Sequence, residues 1–305
     1  MKSIWRAALL CAVVSVSSAS MFGQVVRQDN NNDDLVPTGK GWGERQAHSQ
    51  ANAKQRPRAT NGISYHGGPV MLGTVNVYYI WYGNWSGNSA TSILTDFIQN
   101  IGGSPYYNIN TTYNNGAGTN LSNSIAYQRS TNDSYSQGTS LTDSQIKTVV
   151  SNAITSNQLP ADPNGVYFVL TSKDVTASSG FCTQYCGWHT HGSIAGLDIK
   201  YSFVGNPERC PSACAAQTTS PNDNTGADGM ASIIAHELEE AHTDPDLNAW
   251  YDNRGYENAD KCAWTFGTTS TASNGSKYNV TLGSRQYLIQ QNWVNASGGY
   301  CAMSY

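Results

Sequence analysis

The apolar positions of this chain switch between two periods, and the switches mark its elements. Residues 70–82 (VMLGTVNVYYIWY) are a β-branched and aromatic run of the kind that fills a central strand. In 89–101 the residues Ile93, Leu94, Phe97, Ile98 and Ile101 recur at helical spacing, which predicts a helix. Thr142 and Gln145 form a capping box that opens a second helix, running through Ile146, Val149, Val150 and Ile154 to Pro160. Buried strands are expected at 166–171 and 197–204, short ones near 106–112 and 124–128, and closing ones at 278–282 and 286–294. A last helix is expected from an N-cap at Asp228, with Met230, Ile233, Ile234 and Leu238 as its apolar turns, and Pro245 stopping it near Asp244. This order predicts a mixed α/β fold, a single sheet-and-helix domain for which a zincin-like core is the expected architecture.

The ends of the chain read differently. Residues 1–23 place Lys2 and Arg6 before an apolar run at 7–16 and then small residues, the pattern of a secretory signal peptide too short to span a bilayer. Cys11 would leave with it. Residues 24–61 are polar and carry the densest charge, so they are expected to be a disordered linker, or a propeptide if the core is a peptidase. The core domain is then 62–305.

Export changes how the cysteines are read. Cys182, Cys186, Cys210, Cys214, Cys262 and Cys301 are six in number, which in an oxidising compartment means up to three disulfides. Cys182/Cys186 and Cys210/Cys214 could each close locally, leaving Cys262 for Cys301; fifteen connectivities are possible in principle. A Cys₄ zinc site from the two Cys-x₃-Cys pairs is the alternative, which an oxidising compartment disfavours. Charged residues make up only 12% of the chain and the net charge is −4, so neither nucleic acid nor an anionic membrane is expected as a partner. A monomeric extracellular protein is expected, or a periplasmic one in a bacterium.

The candidate chemistry lies in the last helix, in His236-Glu237-Leu238-Glu239-Glu240. His236 and Glu240 are four apart and share one face, the spacing with which two side chains hold one metal ion. Glu237 stands where zinc peptidases put the carboxylate that takes a proton from metal-bound water, so the pattern is HExxE, one residue away from HExxH. Only six glutamates occur in the chain, and three of them fall here. Carboxylates in the C-terminal half of a helix oppose its dipole, so a cation is needed beside them, either a metal or lysine and arginine side chains. Asp246, ten residues after His236, is the expected third ligand. An oxygen-rich set makes Mn²⁺ and Ca²⁺ competitors to Zn²⁺, the first expectation. His242 lies about 240° round the helix from His236 and is expected at the surface or behind the ligands. His189 and His191, two apart beside Trp188, would face one side of a strand and could complete the site in place of Asp246. Glu257 and Asp260 offer a further carboxylate pair after the helix, with a Ca²⁺ role or loop capping as alternatives. No GxSxG elbow supports serine catalysis.

Several separate stretches together resemble one family. FCTQYCGWHT, IKYSFVGNPERCPSAC, DGMASIIAHELEEAHTDPD, WYDNRGYENADKCAWTFG and LIQQNWVN, with GGPVMLG at the start of the core, are similar to the plant exordium or phosphate-induced protein family from about residue 65 to 305. Plant members carry HELAE followed by TNPD, so His236, Glu237, Glu240 and Asp246 match, whereas His242 and Asp244 do not. The resemblance implies a secreted, cell-wall or apoplast protein associated with growth and carbon status, and supplies no reaction.

Two readings follow. In the first, the protein is a secreted metal-dependent hydrolase acting on peptides, with the metal on His236, Glu240 and Asp246 and Glu237 activating water. In the second, it is a non-catalytic extracellular protein with a structural cation site, binding cell-wall polysaccharide or a protein through exposed aromatics such as Trp81, Trp85 and Trp188; core packing is the alternative for these tryptophans and the favoured one for Trp81. A cleft over Glu237 favours the first; a fully enclosed site favours the second.

Overall fold

The structure is a computed structural model describing residues 62–305 and one short antiparallel pairing of Arg27–Gln28 with Leu35–Val36. The signal peptide and, apart from that pairing, the linker expected before residue 62 lie outside the described residues.

The main elements are β1 (Val75–Tyr82), α1 (Ala90–Ile101), β2 (Ile125–Asp133), α2 (Asp143–Thr155), β3 (Gly165–Thr171), β4 (Gly187–Ile194), β5 (Leu197–Val204) and α3 (Thr225–Thr243). The strands form one five-stranded sheet in the order β2-β1-β3-β5-β4. The first four are parallel and β4 runs antiparallel at the edge. This is a mixed α/β architecture, and the chain order explains it: parallel neighbours need crossover connections, which α1 and α2 supply, while β4 and β5 need only the turn at Ala195-Gly196. Both residues of that turn have positive φ, 52° and 79°, as a tight hairpin turn requires.

β1 and β3 are buried along almost their whole length, which is why they read as continuous apolar runs without alternation. α1 buries Ile93, Leu94, Phe97, Ile98 and Ile101, the predicted face. α2 has the predicted capping box, with the Thr142 hydroxyl accepting from Gln145 N–H. Near 106–112 a 3₁₀ helix, Tyr107–Thr112, replaces the expected strand. Here Thr111 and Thr112 each donate a side-chain hydrogen bond to the carbonyl three residues back, and local bonds of this kind compete with a strand ladder. The closing region forms short two-stranded pairings instead of long strands.

α3 begins four residues before the expected start. Asn224 is its N-cap, accepting from Ala227 N–H, and Asp228 sits in the first turn. Every residue of this helix except Thr225 and Gly229 is buried. A helix buried all round is normally apolar. This one carries His236, Glu237, Glu239, Glu240 and His242 into the core, and their partners define the site.

Trp81, Trp85 and Trp188 are likewise buried, at 4%, 7% and 2% exposure. They pack against other aromatic rings. The expectation of an exposed binding surface is therefore corrected for Trp85 and Trp188, while Trp81 is packed in the core as favoured.

Candidate metal centre

Four segments converge at the C-terminal half of α3. The helix brings His236, Glu237 and Glu240, and β4 brings His189. The helix C-cap is Asp244, and the segment after it supplies Glu257 and Asp260. His236 Nε2 lies 3.0 Å from Glu240 Oε1 and 3.6 Å from Asp260 Oδ1. His189 Nδ1 lies 3.4 Å from Glu237 Oε2 and 3.6 Å from Glu240 Oε2. On its other side His189 Nε2 is 3.3 Å from the Asp244 carbonyl and 3.6 Å from Glu257 Oε1. His189, His236, Glu237, Glu240 and Glu257 are all at most 1% exposed.

Burying so many carboxylates is costly unless positive charge accompanies them. Glu240 and Glu257 face imidazole rings. Burial raises Glu240, but the charge of His236 and the other histidine beside it outweigh this and hold the carboxyl below its ordinary value. Glu257 goes the other way: burial, then the nearby Glu240, Asp244 and Asp260 charges, push it well above that value. Burial likewise pushes Asp244 up to about 6, against the opposing hydrogen bond from Ala249 N–H. Glu257 Oε1, Glu240 Oε2 and His189 Nδ1 are buried without a hydrogen-bond partner in good geometry. Nitrogen and oxygen atoms crowded in this way are of the kinds that could hold a divalent cation.

Asp246, the expected third ligand, is elsewhere. Its Oδ1 is 3.6 Å from His191 Nδ1 and 3.6 Å from Lys200 Nζ. His191 Nδ1 is also 2.8 Å from Asp198 Oδ1, and Lys200 Nζ is 2.7 Å from Asp198 Oδ2. The ammonium group supplies the positive charge of this half-buried cluster. Asp260 takes the place beside His236 and Glu240 that Asp246 was expected to fill, because the chain turns away at Pro245 and returns only at the Asp260–Cys262 turn. His189 and His191 share a face of β4, yet His191 reaches only the rim cluster. Asp198 and Lys200 were not singled out from the sequence; the hairpin register pairs Lys200 with His191, and the Ala195-Gly196 turn was the signal that could have found them.

Of the two places expected for His242, at the surface or behind the ligands, the structure excludes the surface. The side chain is fully buried, stacks on Tyr107 and lies 2.8 Å from the Tyr107 hydroxyl. Glu239 points away from the metal-like cluster and its Oε2 accepts from Asn292 Nδ2 at 2.5 Å. Burial pushes its carboxyl well above the ordinary value.

The cysteines pair as Cys182–Cys210, Cys186–Cys214 and Cys262–Cys301. Only the last matches expectation. The two Cys-x₃-Cys segments lie side by side, so each thiol bonds across to the other segment, and the Cys₄ zinc alternative is removed with the local pairing. The first two bonds tie the start of β4, and hence His189, to the segment that precedes α3. A small pocket, partly open to solvent, lies beside the other end of α3 against Cys214, Gln217, Asp228, Ser232, Ile233 and Trp264.

Comparison with known proteins adds the family. The phosphate-induced protein 1 conserved region matches residues 63–303. The chain is 36% identical to Protein EXORDIUM-like 3 of Arabidopsis thaliana over 279 residues, covering 78% of this chain and 82% of that protein. It is 30% identical to Protein EXORDIUM of the same plant, covering 70% and 77%. It is also 30% identical to Protein PHOSPHATE-INDUCED 1 of Nicotiana tabacum, covering 62% and 67%. No solved structure matches.

Proposed function

The chain belongs to the phosphate-induced protein 1 family, and from that premise we propose that it is an exported, non-catalytic protein whose core is braced by an enclosed divalent cation. The observation that carries this reading is enclosure: the histidines and glutamates of the centre are at most 1% exposed. Structural metal sites are closed by protein ligands, whereas catalytic ones keep a position open to substrate. His236, Glu240 and Asp260 would hold the ion, joining α3 to the Glu257–Asp260 segment. Three disulfides support export. The zincin-like arrangement belongs to the same proposal: a mixed sheet, an antiparallel edge strand and a helix bearing HExxE support it. A peptide or cell-wall polysaccharide partner would have to use surfaces other than Trp81, Trp85 and Trp188.

One observation favours the hydrolase as a second reading. Glu237 Oε2 faces the same His189 Nδ1 as Glu240 Oε2, the place for a carboxylate that activates water.

The test is elemental mass spectrometry of the purified, oxidised protein, with thermal unfolding before and after chelation and a peptide-hydrolysis screen. Stoichiometric zinc or manganese is expected, lost in His236→Ala, together with a lower unfolding midpoint on chelation. No hydrolysis is expected from the wild type. Absence of bound metal after reloading would end the cation reading, and hydrolysis abolished by Glu237→Gln with metal retained would replace it with the enzyme.

A further inference from the structure

Resting on that enclosed cation site, we propose that the centre holds two divalent cations and not one, with the Glu240 carboxylate bridging them. Two of the three donor sets among the described residues meet in this centre: His236 with Glu240 and Asp260, and His189 with Glu240 and Glu257; the third, His191 with Asp198 and Asp246, is the rim cluster. Within each set the donor atoms all lie within 4.8 Å of one another, and the two imidazoles do not fall into a common set. Only Glu240 belongs to both, and it does so through different oxygens. Oε1 faces His236 Nε2 at 3.0 Å, and Oε2 faces His189 Nδ1 at 3.6 Å. A carboxylate that turns one oxygen to each of two centres is the usual bridge between paired metal ions, which sit roughly 3.5–4 Å apart.

The His189 ring argues for the second ion independently. Its Nε2 is 3.6 Å from Glu257 Oε1, and its Nδ1 is 3.4 and 3.6 Å from Glu237 Oε2 and Glu240 Oε2. A neutral imidazole carries one proton, so one of these nitrogens turns a lone pair toward carboxylate oxygen, which is repulsive unless positive charge stands between them. These separations lie at or slightly beyond the roughly 3.0–3.4 Å edges of a tetrahedron or octahedron about an ion with bonds near 2.1 Å. One imidazole and two carboxylates in each set suit Zn²⁺ or Mn²⁺ better than Ca²⁺, which prefers oxygen alone.

The experiment loads the full secreted chain with Zn²⁺ or Mn²⁺, removes excess ion, and counts metal per chain. Two equivalents are expected in the wild type, falling to one in His189→Ala. The conservative variant Glu257→Gln, which keeps the side chain's shape, should weaken retention of the second ion if His189→Ala fails to fold. On the Mn²⁺ protein, electron paramagnetic resonance should show an exchange-coupled pair in place of the six-line spectrum of isolated ions. One equivalent in the wild type would overturn the second position and leave the single braced site standing. None would overturn both. Two equivalents with an uncoupled spectrum would place the second ion away from Glu240 and overturn the bridge.

Discussion

His242 is buried near the C-terminal end of α3, stacked on the Tyr107 ring. Burial drives it down to about 3 from an ordinary value of 6.5, so the folded protein keeps it neutral beside Tyr107. Between those two values the unfolded chain binds a proton that the folded chain refuses. Stability from this group is therefore complete above pH 6.5 and is lost as pH falls toward 3, at about 1.4 kcal/mol per pH unit. His242→Asn retains a polar partner for the Tyr107 hydroxyl but does not titrate there. Urea unfolding of both proteins from pH 7 to pH 4 should show the wild type losing ground to the variant at that slope; parallel curves would contradict it. HExxE was legible as a unit because its spacing is local to one helix. The assignment of Asp246 failed because ten residues of spacing cannot say where a chain goes after Pro245.

At the scale of elements, α3 and β4 are pressed together, and the closeness depends on one residue. A Cβ added at Gly187 would meet Ile233 Cγ2 at 2.6 Å, the Phe203 carbonyl oxygen at 2.8 Å and Glu237 Oε1 at 3.2 Å. Gly187→Ala should therefore force the strand off the helix, costing about 1–3 kcal/mol, and loosen His189 from its partners, so bound metal should fall as well. Gly62→Ala is the control, since a Cβ there meets nothing within 4 Å. Thermal unfolding and metal content of the two variants read this directly; equal behaviour would refute it. The strands β1 and β3, the helices α1 and α2 and the strand β5 were readable because each has its own apolar pattern or cap. The edge strand β4 was visible only as a pair of histidines, because its sequence GWHTHGSI lacks a clean alternation of apolar and polar residues.

For the molecule as a whole, cross-links fix the segments that carry the centre. Cys262–Cys301 closes a separation of 39 residues and anchors the turn bearing Asp260 to the C-terminal strand Tyr300–Ala302. Replacing both cysteines with serine should cost about 4 kcal/mol on the chain-entropy account, seen as a lower unfolding midpoint; an unchanged midpoint would show that packing alone holds the turn. No helix among the described residues is long and apolar enough to cross a membrane. By itself the sequence determined the mixed α/β class, the main helices, the HExxE face and the number of disulfides, because periodicity, capping and local spacing act over a few residues. Only the tertiary structure decided the burial of α3, the crossed pairing of the Cys-x₃-Cys segments, and the replacement of Asp246 by Asp260 beside His236 and Glu240. Those outcomes depend on how segments distant in the chain come to lie against one another, and no local pattern carries that information.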